Sequence, residues 1–198
     1  MAKSGQVIEN PRRKARMTFL RTAGDTEGEL LAMLAEEEPT LARPPLHRHP
    51  HQEERFEVRS GTLDYQLGEQ VYTAGPGGVA VVPPGVPHTW WNSGSEKLVA
   101  QIELRPALRF ETCLETIYGL TKAGRVSPRG APSRLQAVVL FHAFRKEYVP
   151  VVLPVPMFFP RPARSLLIFV MAAMGRFLGY RPWYPEFSPS GPVRLRFR

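Results

Sequence analysis

The hydrophobic and polar positions of this 198-residue chain change character near its middle. Up to about residue 104 the apolar residues fall in short runs cut by turn formers, the pattern of many short strands. Residues 15–21 and 29–36 predict two strands around an acidic turn, Gly24–Gly28; on propensity alone the second is equally a short helix. Residues 56–60 lead into Gly61, and 62–67 alternate between polar and apolar side chains. Residues 71–73 end at the breaker cluster Ala74-Gly-Pro-Gly-Gly78. Residues 79–82 form a short apolar run stopped by Pro83 and Pro84, and 97–104 form another closed by Pro106. Such an array favours a β-barrel or sandwich.

Beyond Phe110 the period lengthens. Apolar residues at 110, 113, 114, 117 and 118 have helical spacing, and Lys122-Ala-Gly124 supplies a basic last turn followed by glycine. Ser133 is an N-cap for a second helix through about Tyr148. Prolines 150, 154, 156, 160 and 162 exclude regular helix between them. A third helix is expected from about Ala163 to Leu178, ending at Gly179. The pattern divides the chain into a barrel domain (1–109), a helical extension (110–180) and an irregular basic tail (181–198), without internal repeat.

Composition and charge narrow the setting. The single cysteine, Cys113, excludes an intrachain disulfide and fits a reducing compartment. The first residues lack the apolar stretch of a signal peptide. The longest strongly apolar run, Leu166 to Met174, is too short to span a bilayer. A cytoplasmic protein is expected. The net charge of +8 is uneven: residues 1–104 carry 11 Lys or Arg against 14 Asp or Glu, and residues 105–198 carry 15 against 4. No nucleic-acid motif accompanies the basic half, which reads as a solvated arginine-rich surface rather than a nucleic-acid site. The segment 164–176 is apolar nearly all round. It reads as a helix buried against the barrel or in a subunit interface, and so predicts a homodimer; the rival is an interfacial membrane helix flanked by Arg164, Arg176 and Arg181.

Chemistry concentrates in two blocks. The first is His47-Arg-His49-Pro-His-Gln-Glu-Glu54, with Gly61 beyond it. The second runs from Gly77 through Pro83 and Gly85 to His88 and Asn92. Residues two apart on a strand share a face, so His47 and His49 can reach one ion, and Glu54 and His88 need only be folded beside them. Imidazole and carboxylate suit Fe, Mn, Ni, Zn or Cu. Glu53 is a rival to Glu54, and His51 keeps period two with the other imidazoles; it reads as a loop residue.

These blocks resemble the two signature motifs of the cupin superfamily, of form G-x5-H-x-H-x3–4-E-x6-G and G-x5-P-x-G-x2-H-x3-N. The second matches at every fixed position. The first matches at His47, His49, Glu54 and Gly61 and departs at its leading glycine, where this chain has Leu41. The resemblance covers roughly residues 40–104. It implies a mainly β fold, a cupin-type double-stranded β-helix (jelly-roll) barrel with appended C-terminal helices, and favours strand over helix for 29–36. It also implies a divalent transition metal held by His47, His49, Glu54 and His88. Three imidazoles and one carboxylate leave up to two octahedral positions open, which suits a dioxygenase-like enzyme acting on a small molecule; the alternative is a non-catalytic small-molecule binding or sensor protein. Gly61, Gly77 and Gly85 read as turn residues and Asn92 as a turn cap. Trp90 and Tyr65 are expected on the barrel wall, with Phe56 and Gln101 as further candidates. Trp91 is expected to point away. The only acid or base hints are Glu103, Tyr65 and His51, so no catalytic residue is assigned, and Cys113 has no partner that would make it a nucleophile.

Overall fold

The computed structural model describes residues 2–40, 42–128, 130–152, 160–189 and 191. Leu41, the prolines at 154 and 156, and residues 190 and 192–198 of the tail lie outside them. Among the described residues eleven strands appear: β1 (Val7–Asn10), β2 (Ala15–Arg21), β3 (Leu31–Glu37), β4 (His47–Arg48), β5 (Glu53–Ser60), β6 (Leu63–Leu67), β7 (Gln70–Ala74), β8 (Val79–Val82), β9 (His88–Trp91), β10 (Leu98–Arg105) and β11 (Val149–Pro150). Three helices accompany them: α1 (Phe110–Lys122), α2 (Arg134–Ala143) and α3 (Arg161–Phe177). The strands form two antiparallel sheets, in the orders β1-β2-β3-β10-β5-β8 and β11-β4-β9-β6-β7.

The first sheet builds the core by alternation. In β10, Leu98, Ala100, Ile102 and Leu104 are buried while Val99, Gln101 and Glu103 are half-buried on the other face. In β5, Glu54, Phe56 and Val58 point inward. Glu54 is thus a carboxylate on an otherwise apolar inner row, opposite Val82 of β8 and Leu104 of β10. The stretch left open between helix and strand is β3, paired on both sides by β2 and β10. Its tertiary pairing overrides the helix propensity of Leu-Ala-Met-Leu-Ala.

The C-terminal segment closes the barrel. Phe110, Cys113, Leu114 and Tyr118 of α1, Leu140 of α2, and Phe144 and Tyr148 beyond it belong to the same buried cluster as Met33, Phe56, Trp90 and Ile102. Ser133 caps α2 as expected, accepting from the Gln136 backbone amide. The helix ends at Ala143 rather than Tyr148. A tight turn follows, with the amides of Glu147 and Tyr148 donating to the Phe144 carbonyl, and it swings Tyr148 back over the barrel. Two further residues form β11, which pairs with β4.

The third helix lies on α2 through its small residues. Ala172 and Gly175 are buried, and a Cβ at Gly175 would stand 2.6 Å from Val139 Cγ2. The opposite face of α3, with Leu166, Phe169, Val170, Met174 and Phe177, is exposed. The buried face of α3 therefore meets α2, where burial against the barrel was one of the two settings expected. Among the described residues no helix is long and apolar enough to cross a membrane.

Candidate metal centre

Four ligand residues from three strands and one loop meet inside the barrel. His47 on β4 pairs in register with His88 on β9. Here the chain keeps the period-two spacing: His47 is buried, Arg48 exposed and His49 buried. Glu54 enters from the facing sheet. One ligand atom from each of His47, His49, Glu54 and His88 lies within 4.8 Å of all the others, and all four residues are buried. Glu54 Oε2 is 2.7 Å from His88 Nε2 and 3.6 Å from His49 Nε2.

Each imidazole is oriented by its other nitrogen. Nδ1 of His47 donates to the Pro45 carbonyl at 2.8 Å, that of His49 to Glu147 O at 2.5 Å, and that of His88 to Val86 O at 2.9 Å. A carbonyl can only accept, so Nδ1 carries a proton in every case, and the neutral form of each ring keeps its lone pair on Nε2. The buried Nε2 atoms of His49 and His88 and Oε2 of Glu54 make no hydrogen bond of good geometry. Buried polar atoms without partners are rare, and three converging ones fit a divalent ion.

The electrostatics agree. Burial, followed by the neighbouring His49 and His88 imidazoles, holds His47 well below its ordinary range and so neutral. Burial disfavours the Glu54 carboxylate, but His49 and His88 outweigh it and keep Glu54 ionised far below the usual range. Burial also opposes a charge on His88, but Glu54 overcomes it and raises the imidazole's pKa.

The other candidates sort by strand parity. Glu53 faces away from Glu54, opposite Arg105 of β10. His51 is exposed in the loop. Asn92 caps its turn: its side chain donates to the carbonyls of Glu37 and Glu96 and accepts from the Gly94 amide. Trp90 is buried and lines the cavity beside the cluster. Tyr65 pairs with Trp90 and stacks on Tyr72 but does not line the cavity, and Phe56 packs edge-on against Trp90 within the core. Gln101 and Glu103 lie on the outer face, bonded to each other and to Arg59 and Arg105. Trp91 points the other way, under Arg43. Cys113 is fully buried, and burial raises its thiol pKa far out of the reactive range.

Sequence reasoning missed the lid. Tyr148 stacks on His47 with ring centroids 4.4 Å apart, and Phe110 meets His49 edge-on at 4.9 Å. Arg109 forks onto the Glu147 carboxylate, with Nε at 2.8 Å and Nη2 at 3.2 Å, and so fixes the segment whose carbonyl holds His49. Nothing local in the sequence ties residue 147 to residue 49.

A cavity of about 740 Å³ reaches the cluster, with His47 and Glu54 on its wall. That is within the range for burying a small organic ligand, roughly 300–1,000 Å³.

Residues 33–103 match the family model described as the cupin domain. With the two-sheet barrel around them, they make this a cupin-fold protein, a double-stranded β-helix with C-terminal helices. The chain is 28% identical over 156 residues to a probable oxidoreductase of Hypocrea virens, covering 74% of this chain and 68% of that protein. It is 28% identical over 157 residues to an oxidoreductase of Arthrobotrys oligospora, covering 74% of this chain but only 60% of that relative. Among solved structures it resembles an uncharacterised double-stranded β-helix protein of Klebsiella pneumoniae, at 26% identity and a TM-score of 0.38, covering 40% of this chain and 66% of that one.

Proposed function

We propose that the protein is a metal-dependent oxidoreductase acting on a small organic molecule in a dioxygenase-like reaction, with one divalent transition ion (Fe, Mn, Ni, Zn or Cu) held by His47, His49, Glu54 and His88. The observation that carries this reading is the convergence of the buried ligand atoms, with all three Nδ1 atoms already committed to carbonyls. Both curated relatives are named as oxidoreductases, which supports the class. A bound ion would supply Lewis acidity and, if redox-active, electron transfer involving O₂. The residues around it perform the rest. Tyr148 and Phe110 cover His47 and His49 and exclude water from that side. Trp90, on the same strand face as His88, forms part of the wall against which a substrate would be oriented.

A second reading, a binding or sensor protein, is favoured by one observation. Apart from His47 and Glu54, the described residues lining the cavity include no imidazole or carboxylate to act as acid or base. The two readings separate by turnover. Fe(II)-, Mn(II)- and Ni(II)-loaded protein is screened with phenols, thiols and carboxylic acids for oxygen uptake and product mass, with Glu54→Ala and His88→Ala as controls. Transformation lost in both variants supports the enzyme; tight binding with no product from any loaded form leaves the sensor. We place the protein in the cytoplasm as a homodimer, joined through the exposed apolar face of α3, since such a face seeks burial.

A further inference from the structure

The cavity has its own chemistry away from the imidazoles. Much of its wall is apolar, including Met17, Met33, Ile102 and Leu114. Its charged lining is one-sided: Arg12, Arg13, Arg43 and Arg134 contribute to it, all but Arg13 exposed, against Glu54 alone. Arginine stays cationic at any physiological pH. Since Glu54 already sits among the imidazoles, the cavity beyond them is left cationic.

Two polar groups are also left unfinished. Tyr118 of α1 lines the cavity with only 3% of its surface exposed, and its hydroxyl has no hydrogen-bond partner. Native proteins leave few buried hydroxyls unpaired. Burial pushes this phenol up to about 12, so it remains a proton donor at neutral pH. Beside it, Arg13 lies over the Trp90 ring at 4.5 Å and donates through Nη2 to Glu37 at 2.6 Å, yet its buried Nε has no partner. Both unsatisfied groups are donors on one apolar cavity, which calls for an acceptor bearing negative charge.

We propose that this cavity binds an apolar organic acid, its hydrocarbon body along Met17, Met33, Ile102 and Leu114 and its carboxylate held by Tyr118 and Arg13. The inference rests on the reading that this cavity is the substrate site of the metal centre. It names the class of molecule delivered there. Trp90 links the two ends: it shares a strand face with His88 and carries the Arg13 guanidinium on its ring. The acid would thus be anchored at one end while its body extends toward His47 and Glu54.

Binding is measured by titration calorimetry on chelator-treated protein, so that no metal takes part. The probes are naphthoic acid, its methyl ester and naphthylmethylamine, with decanoic acid as an aliphatic acid. Both acids should bind, the ester at least about tenfold more weakly than its acid, and the amine not at all. Tyr118→Phe removes only the hydroxyl. It should weaken the acids by roughly tenfold, the loss expected for one charge-assisted hydrogen bond, and shift the ester by less than about twofold. Equal affinity for acid and ester, preference for the amine, no binding of either acid at millimolar concentration, or acid binding indifferent to Tyr118→Phe would each overturn the proposal. Elemental analysis of untreated protein keeps the two readings apart. Acid binding without any metal uptake sinks the oxidoreductase and leaves the acid site standing; metal uptake without acid selectivity does the reverse.

Discussion

The Glu147 carbonyl accepts from His49 Nδ1 at 2.5 Å across 98 residues of sequence. A residue of the C-terminal segment thereby sets the tautomer of an imidazole in the first cupin motif. Tyr148, next in the chain, stacks on His47. The extension is built into the candidate metal centre as well as packed beside it.

Loosening this support should therefore weaken metal binding without touching a ligand. Arg109→Ala leaves the Glu147 carboxylate, 2% exposed, without its cation. We expect about a 10- to 100-fold loss of metal affinity, the usual effect of an outer partner, measured by competition with a chelating dye. Unchanged affinity would mean that the Glu147 carbonyl holds His49 without help from Arg109. Truncation after Pro106 should do worse. It removes Phe110, Leu114, Tyr118, Leu140, Phe144 and Tyr148 from the core, at roughly 1.5–3 kcal/mol for each large buried side chain. That rivals the whole stability of a domain, about 5–15 kcal/mol, and the fragment should aggregate.

Metal stoichiometry should be about one ion per chain. His49→Ala should lose far more affinity than His51→Ala, because His51 is exposed. Equal losses by elemental analysis would refute the ligand set. Loading should also weaken on acidification. Burial and then Glu54 act oppositely on His88, Glu54 prevails, and the raised imidazole binds a proton that the ion must displace.

Two glycines of the motifs should respond differently to alanine. Both have positive φ, +76° at Gly61 and +82° at Gly85, a conformation that costs a side chain about 1–2 kcal/mol. At Gly85 nothing lies within 4 Å of the added Cβ, so that is the whole expected loss. At Gly61 the Cβ would stand 2.5 Å from the Lys97 carbonyl oxygen and 2.8 Å from Leu98 Cα. Backbone must move there, and Gly61→Ala should cost clearly more than Gly85→Ala in denaturant unfolding. Similar losses would mean that the β10 backbone yields without cost.

Glu37 should make stability fall as pH rises. Its carboxyl is fully buried, and burial outweighs the Arg13 guanidinium 2.6 Å away, raising its pKa from 4.5 to about 7. The folded state keeps a proton that the unfolded chain releases. The stabilisation is complete below about pH 4.5 and lost as pH climbs through 7. The change is on the order of 1–3 kcal/mol. Glu37→Gln should flatten the slope between pH 5 and 7.5 in urea unfolding; an unaltered slope would assign it to another group.

Much of the barrel was legible because its cues are local. The turn glycines, the prolines stopping β8 and the motif spacing around His47, His49, Glu54 and His88 lie within short windows. The six-residue spacing to Gly61 favours Glu54 over Glu53, and the parity of β5 agrees. Other local cues point elsewhere than the fold: Gln101, a candidate for the wall, sits on the outer face of β10, and α2 stops short of Tyr148. Parity follows from the pleat once a strand's register is known, and sequence did not give the register of β10 against the cavity.

The sequence by itself determined the barrel, its motif residues and the helical character of the C-terminal half, since periodicity and turn chemistry act over a few residues. Tertiary structure alone decided what that half does. It placed the Glu147 carbonyl on His49, Tyr148 on His47 and the unpaired Tyr118 hydroxyl in the cavity, and it left one face of α3 exposed. These pairings join residues far apart in the chain, and which of them form depends on how the extension packs over the barrel.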